Sequence, residues 1–259
     1  MTGSDPRATA IIPARLGSER FPQKVLASGT GTPLIVHVCE AAARASRVER
    51  VIVAAGEQEI VDAVTCAGFE AVLTRADHQT GTSRVAEVAD TLDVSSGDII
   101  VNVQGDEPEI EPGVIDAAIR AISTSDAPVA TVATPLVASD DVGSPNIVKA
   151  AVDRSGHALL FSRSVIPHDR DGSGGIQRFR HVGLYVYRRW FLSKIAELAP
   201  TPLEQAERLE QLRFLEHGYS IAVAIEEANG VGIDTPEQYA AFVKRWKASN
   251  PTTHRGRPL

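Results

Sequence analysis

The sequence predicts an α/β protein with a mostly parallel sheet flanked by helices, and two observations carry that class. Apolar bursts of strand length recur in the first half, "ATAII" at 8–12, "RVIVAA" at 50–55, "EAVL" at 70–73 and "DIIVNV" at 98–103, with helical patterns between them. Such alternation marks βαβ units, because parallel neighbours need a crossover that returns the chain to the same end of the sheet. The helices carry proline signposts as well. Thr32-Pro33, Glu111-Pro112, Thr201-Pro202 and Thr235-Pro236 each set a proline at a first helical position, and three of them follow a threonine able to cap exposed amides.

Taken in order, the first strand is expected to break at Pro13 into a loop carrying Arg15, Gly17, Ser18, Arg20 and Lys24. "GTGTP" at 29–33 is a turn before a helix, and "LTRADHQTGTSR" at 73–84 leads into a helix whose amino end lies near Thr82. From Val129 the texture changes: "PVATVATPLV", "IVKAAVD", "HALLFSRS" and "HVGLYVYRR" leave little room for helices and predict a mixed sheet or a β-rich excursion at about 129–190. Helices at 190–198 and 203–217, a strand at 220–224 and a final helix at 236–247 complete one domain over 8–247. The tail 248–259 is polar and proline-bearing, and is expected to be disordered.

The bulk properties narrow the function. At 259 residues, 43% hydrophobic and 23% charged, the chain has the composition of an ordinary globular protein, and its net charge of −7 argues against general nucleic-acid binding. No apolar run reaches membrane-span or signal-peptide length, so a cytoplasmic location without membrane attachment is expected. Cys39 and Cys66 lie in apolar helical patterns without CxxC or histidine spacing, and read as buried thiols in a reducing compartment.

Against that acidic background the cations of the first loop stand out. A loop after the carboxyl end of a parallel strand is where α/β sheets bind ligands, and amides near Gly17 and Ser18 with Arg15 and Lys24 would hold a triphosphate. The plainer alternative is a solvated loop with three unrelated cations. The loop is neither a Walker A motif nor GxGxxG, which counts against a dinucleotide-dependent oxidoreductase. "IIVNVQGDEP" ends an apolar strand with Gln104, Asp106 and Glu107, and a carboxylate there suits Mg²⁺ once it has a partner. Asp234 in "GVGIDTPEQY" is the candidate partner, although helix capping would equally explain it. Arg163, His181, Tyr185, Glu210 and Gln211 lie in later motifs and together suit a polyhydroxylated carboxylate ligand.

The ordered set "IIPARLGSERFPQKVL", "TRADHQTGTSR", "VNVQGDEP", "SPNIVKA", "FSRSVIPHDR", "RHVGLYVYRR", "PTPLEQAERLEQLRFLEHG" and "GVGIDTPEQY" resembles the 3-deoxy-manno-octulosonate (Kdo) cytidylyltransferases, from Ala8 to Lys247. The resemblance implies a Rossmann-like nucleotidyltransferase fold whose β-rich excursion makes a homodimer. It also implies an attack by the anomeric hydroxyl of an acidic sugar on the α-phosphorus of CTP, with release of pyrophosphate. Carried over by motif, Arg15, Arg20 and Lys24 would hold the triphosphate, Arg75, Thr80, Gly81 and Ser83 would contact the cytidine, and Ala14, Leu16, Gly17 and Gln104 would also bind CTP. Asp106 and Asp234 would hold Mg²⁺, while Gln104, Arg163, His181, Tyr185, Glu210 and Gln211 would line the acceptor site. The chain departs from the usual pattern at Leu16, Glu19, Gln23, Val25, Gly56, His168 and Glu216, which leaves room for another ulosonic acid or a small carboxylate or phosphonate as acceptor. A nucleotide-binding protein without turnover is the remaining alternative.

Overall fold

A computed structural model of the chain describes residues 7–18, 20–92, 99–137, 140–172, 174–230 and 232–250. Glu19 and the tail residues 251–259 lie outside the described residues. Among the described residues nine strands form one sheet: β1 (Ala8–Ala14), β2 (Val48–Ala55), β3 (Glu70–Leu73), β4 (Ile99–Asn102), β5 (Val129–Pro135), β6 (Lys149–Val152), β7 (Ala158–Ser162), β8 (Phe179–Arg188) and β9 (Ile221–Ile225). The main path runs β3-β2-β1-β4-β8-β5-β9, with β6 and β7 beside β8. Pairs along β3-β2-β1-β4 and between β5 and β9 are parallel, and β8 is antiparallel to β4 and β5. The expected excursion is thus partly in the main sheet. Its β5 and β8 are central strands, and β6 and β7 alone leave the path.

The helices are α1 (Leu34–Ala43), α2 (Gln58–Cys66), α3 (Gly81–Thr91), α4 (Pro112–Ser123), α5 (Arg189–Ile195), α6 (Pro202–Glu207), α7 (Gln211–Glu216) and α8 (Pro236–Ser249). They cover both faces of the sheet. One apolar layer gathers Val36, Cys39, Ile60 and Ile115 against Ile12 and Val53, and the opposite layer gathers Val85, Phe191 and Phe214 against Ile11 and Tyr187. Strand alternation does the sorting, since neighbours such as Ile11 and Ile12, or Val186 and Tyr187, point to opposite layers. Among the described residues no helix is long and apolar enough to cross a membrane.

Five expectations need correction. β1 continues through Pro13 to Ala14, because β4 ends opposite Ile11 and Pro13 lies beyond that ladder, where its missing N–H is not required. Pro33 is the residue preceding α1 rather than its first helical residue. The helix expected at 203–217 is two helices, broken where Arg208 adopts a left-handed φ of 53°. Cys39 is buried as expected, but Cys66 is exposed: it ends α2 on the face away from the buried Ile60 and Val64. The last helix also runs slightly further than expected, taking in Ala248 and Ser249 of the presumed tail.

Candidate functional site

Between β1 and β4 the strand order reverses, and the loops leaving both strands share one crevice. After β1 the chain runs through Arg15 and Arg20 to Gln23, whose left-handed φ of 55° turns it into a 3-10 turn beginning at Lys24. After β4 come Gln104, Gly105 and Asp106. A Cβ at Gly105 would lie 2.7 Å from the Pro13 carbonyl oxygen, so the residue type permits the two loops to meet. The chain before α8 joins them, because the Ile233 amide donates to the Asp106 carbonyl at 2.8 Å and so carries Asp234 to the same place.

These three segments converge on one ammonium. Lys24 Nζ donates to Asp106 Oδ2 at 2.5 Å, to the Ile233 carbonyl at 2.9 Å and to Asp234 Oδ1 at 3.1 Å. Arg20 pairs with the other oxygen of Asp234 at 2.9 Å. The surrounding cleft has a volume of about 430 Å³ and carries Arg15, Arg20, Lys24 and Arg84 against Asp106 and Asp234. This local excess of positive charge, in a chain of net charge −7, gives the cleft a field that attracts anions.

Of the residues expected to meet CTP, Ala14, Arg15, Gly17, Arg20, Lys24, Thr80, Gly81 and Gln104 line this cleft. Three do not. Leu16 packs on the core and its amide donates to Glu57 Oε2 at 2.9 Å, which holds the shape of the loop. Ser83 turns back, its hydroxyl donating to the Thr80 carbonyl at 2.9 Å. The Arg75 side chain is 70% exposed and faces Asp77 and Glu87.

The cation that does reach in from that region is Arg84, which sequence reasoning did not single out. It is buried, and its Nη1 donates to Thr74 Oγ1 and to the Arg75 carbonyl. Desolvation and the nearby Arg15 charge lower its pKa from the usual value, against an attraction from Glu57. Gly56, where the resemblance leads to an aspartate, lies against the guanidinium: a Cβ there would be 3.2 Å from Nη1 and 3.3 Å from Nη2. The signal was helical phase, since Arg84 precedes the buried Val85 and is buried on α3 with Val88 and Ala89. Glu107 was named but given no role. Desolvation, with the Asp106 charge, pushes its carboxyl up to about 7, partly countered by Arg180.

The expected acceptor residues gather on the sheet beyond Gln104, whose Nε2 donates to the Gly183 carbonyl of β8 at 3.4 Å. His181 and Tyr185 stand on β8 with ring centroids 5.4 Å apart. Thr131 Oγ1 donates to the Leu184 carbonyl at 2.7 Å, so it accepts from His181 Nε2 at 2.9 Å. That bond places a proton on Nε2, and desolvation with the neighbouring Arg180 lowers the pKa to about 3, so the imidazole is neutral with Nδ1 as an acceptor. Glu210 precedes α7 and takes a hydrogen bond from Thr82 Oγ1 at 2.5 Å, while desolvation raises its carboxyl above the usual range. The adjacent Gln211 is buried with Nε2 unpartnered among the described residues. Arg163 stands apart: its Nε and Nη1 donate to the Glu207 and Pro145 carbonyls, both at 2.8 Å.

A family model described as cytidylyltransferase matches residues 9–223. A 3-deoxy-manno-octulosonate cytidylyltransferase of Pelobacter propionicus is 48% identical over 251 residues, covering 93% of this chain and 97% of the relative. One from Geobacter metallireducens is 46% identical, covering 92% and 97%. Among solved structures, a CMP:2-keto-3-deoxy-manno-octonic acid synthetase complexed with CTP superposes with a TM-score of 0.88 at 36% identity, covering 94% of this chain and 99% of that one. HddC from Yersinia pseudotuberculosis, at 16% identity and a TM-score of 0.63, shares the fold.

Proposed function

Because this chain belongs to the 3-deoxy-manno-octulosonate cytidylyltransferase family, we propose that it transfers CMP from CTP to Kdo with release of pyrophosphate, using Mg²⁺ held at Asp106 and Asp234. The observation that carries the reading is the Lys24 ammonium lodged between those two carboxylates in a cationic cleft. A cation already sits where their oxygens converge, and both donors are the carboxylate oxygens that a hard dication takes. Among the described residues no group of three or more His, Cys, Asp or Glu is arranged to hold a metal. Two protein carboxylates suit an ion that takes its other ligands from water and phosphate oxygens, so the residues fit Mg²⁺. When bound, that ion would neutralise charge on the phosphate oxygens.

The chain's own groups do the rest by positioning. Arg15, Arg20 and Lys24 bind the triphosphate by charge-assisted hydrogen bonds, with the Gly17 segment held in place by the Glu57 bond to the Leu16 amide. Thr80 and Gly81 close the nucleoside end. Gln104, His181, Tyr185, Glu210 and Gln211 orient the acidic sugar, and the neutral His181 presents Nδ1 to a hydroxyl. Alignment and charge neutralisation account for phosphoryl-type transfer without a covalent nucleophile.

The same reading makes the enzyme a cytoplasmic homodimer. CTP is a cytoplasmic nucleotide, and the exposed apolar side chains of Leu159 on β7, Val165 beyond it and Leu203 on α6 are the kind that a second copy covers. The deciding experiment is pyrophosphate release from each nucleoside triphosphate with Kdo and Mg²⁺. CTP should be used and the others should not. Release from CTP with another acidic acceptor and none with Kdo would overturn the assignment.

A further inference from the structure

One hydrogen bond crosses between the two halves of the site. Thr82 lies in the first turn of α3, directly after Thr80 and Gly81 of the cleft, and is itself buried. Its hydroxyl turns away from the nucleotide side and donates to Glu210 Oε2 at 2.5 Å, joining positions far apart in the chain. The Thr80 side chain also bonds to the Glu210 carboxyl. Behind them the Tyr187 phenol meets Thr82 and Asn102, so the contact is set in a buried polar layer.

Both ends of this bond are anchored. On the nucleotide side Thr80 Oγ1 accepts from the Ser83 amide at 3.1 Å and caps α3, and Gly81 packs so closely on Pro13 that a Cβ would lie 3.2 Å from its ring. The first turn of α3 is therefore clamped to the end of β1, where the triphosphate loop begins. On the other side Glu210 adjoins Gln211, whose buried Nε2 lacks a partner among the described residues, a donor left for a ligand. A carboxylate placed by a hydroxyl on the nucleotide turn has its position set by that turn.

We propose that Thr82 is a positioning residue that holds Glu210 for the acidic sugar and thereby couples the nucleotide turn to the acceptor site. This rests on the reading of Glu210 and Gln211 as acceptor groups. Coupling of this kind is reciprocal, so nucleotide and sugar should each strengthen the binding of the other through the bond.

The test is steady-state pyrophosphate release with CTP, Mg²⁺ and Kdo, made on Thr82→Val, Thr82→Ser, Glu210→Gln and the Val/Gln double variant. Thr82→Val should raise the KM for Kdo about tenfold and, with Kdo saturating, the KM for CTP with it, while CTP binding in the absence of Kdo stays within about twofold, since a hydrogen bond to a charged group is typically worth that much. Thr82→Ser, which keeps the hydroxyl, should restore the wild-type KM. The double variant should be no worse than Glu210→Gln, because the residues act as one. If Thr82→Val fails to fold, Thr82→Ala takes its place in the cycle. A Kdo KM within twofold of wild type in the folded variant, or additive losses in the double variant, would overturn the proposal. An unchanged Kdo KM in Glu210→Gln would instead overturn the reading of the acceptor site on which it rests.

Discussion

The carboxylates of Asp106 and Asp234 share a single ammonium, Lys24 Nζ, at 2.5 Å and 3.1 Å, although the chain brings them from the ends of unrelated elements. Removing that ammonium leaves two anions facing each other without the cation that now lies between them. Lys24→Met should lower turnover on the order of a hundredfold or more, as losing an aimed charge-stabilising donor does elsewhere. Lys24→Arg should recover little of it, because a planar fork cannot replace a compact charge shared among three acceptors. Pyrophosphate release by variants whose circular dichroism matches wild type measures both.

Helix capping was the competing explanation for Asp234, and the geometry gives that work to its neighbour. Thr235 Oγ1 accepts from the Gln238 amide at 3.3 Å, and Gln238 Oε1 accepts from the Thr235 amide at 3.0 Å, so α8 is capped without the Asp234 side chain. Thr235→Ala should therefore cost about 1 kcal/mol of stability and spare most activity. Asp234→Asn should do the reverse, with a melting temperature within a few degrees of wild type and turnover nearly abolished. Equal activity loss in the two variants would assign Asp234 a merely structural part.

How much of this was legible depends on the range of the signal. Strand bursts and Thr-Pro signposts act locally, so β3 at Glu70–Leu73 and the starts of α6 and α8 were readable from the chain. The β1 loop and the Gly105-Asp106 turn were readable because glycine, cations and a carboxylate follow apolar strands. Departures came from contacts that no local pattern encodes. The left-handed Arg208 divides what periodicity shows as one helix, and the placement of β8 between β4 and β5 is a choice of strand pairing. Arg75 and Arg84 look alike in sequence, and α3's orientation alone decides which one is buried at the cleft.

That orientation makes a direct comparison. Arg84 is buried and forms no ion pair among the described residues, whereas Arg75 is exposed beside Glu87, where a surface pair is worth about 0–1 kcal/mol. Arg84→Met should raise the KM for CTP at least about tenfold, the penalty expected for losing a charged donor. Arg75→Ala should change it less than threefold. Isothermal titration of CTP into each variant checks the order, and a larger effect at Arg75 would reverse it.

Metal removal tests the two carboxylates from the solution side. Thorough chelation should abolish pyrophosphate release, and Mg²⁺ should restore it in a saturable way. Asp106→Asn should shift the restoring Mg²⁺ concentration upward, because a neutral amide oxygen is a poorer ligand for a hard dication than a carboxylate. Full turnover in the chelated enzyme would remove the metal from the reading while leaving the cationic cleft in place.

The buried imidazole of His181 gives the stability a pH dependence of definite sign. In the unfolded chain a histidine titrates near 6.5, whereas in the folded protein desolvation and Arg180 lower the pKa to about 3. Between those values the unfolded chain binds a proton that the native state refuses. The contribution is therefore fully present above pH 6.5 and is lost as pH falls toward 3, by up to about 1.4 kcal/mol per pH unit. His181→Gln keeps a donor for Thr131 but cannot titrate. Urea unfolding of both proteins at pH 7.5, 6 and 5 should show the difference in stability moving toward the variant as the pH falls. A pH-independent difference would mean that the native imidazole accepts a proton as readily as the unfolded one, and so does not present a neutral Nδ1 to the acceptor.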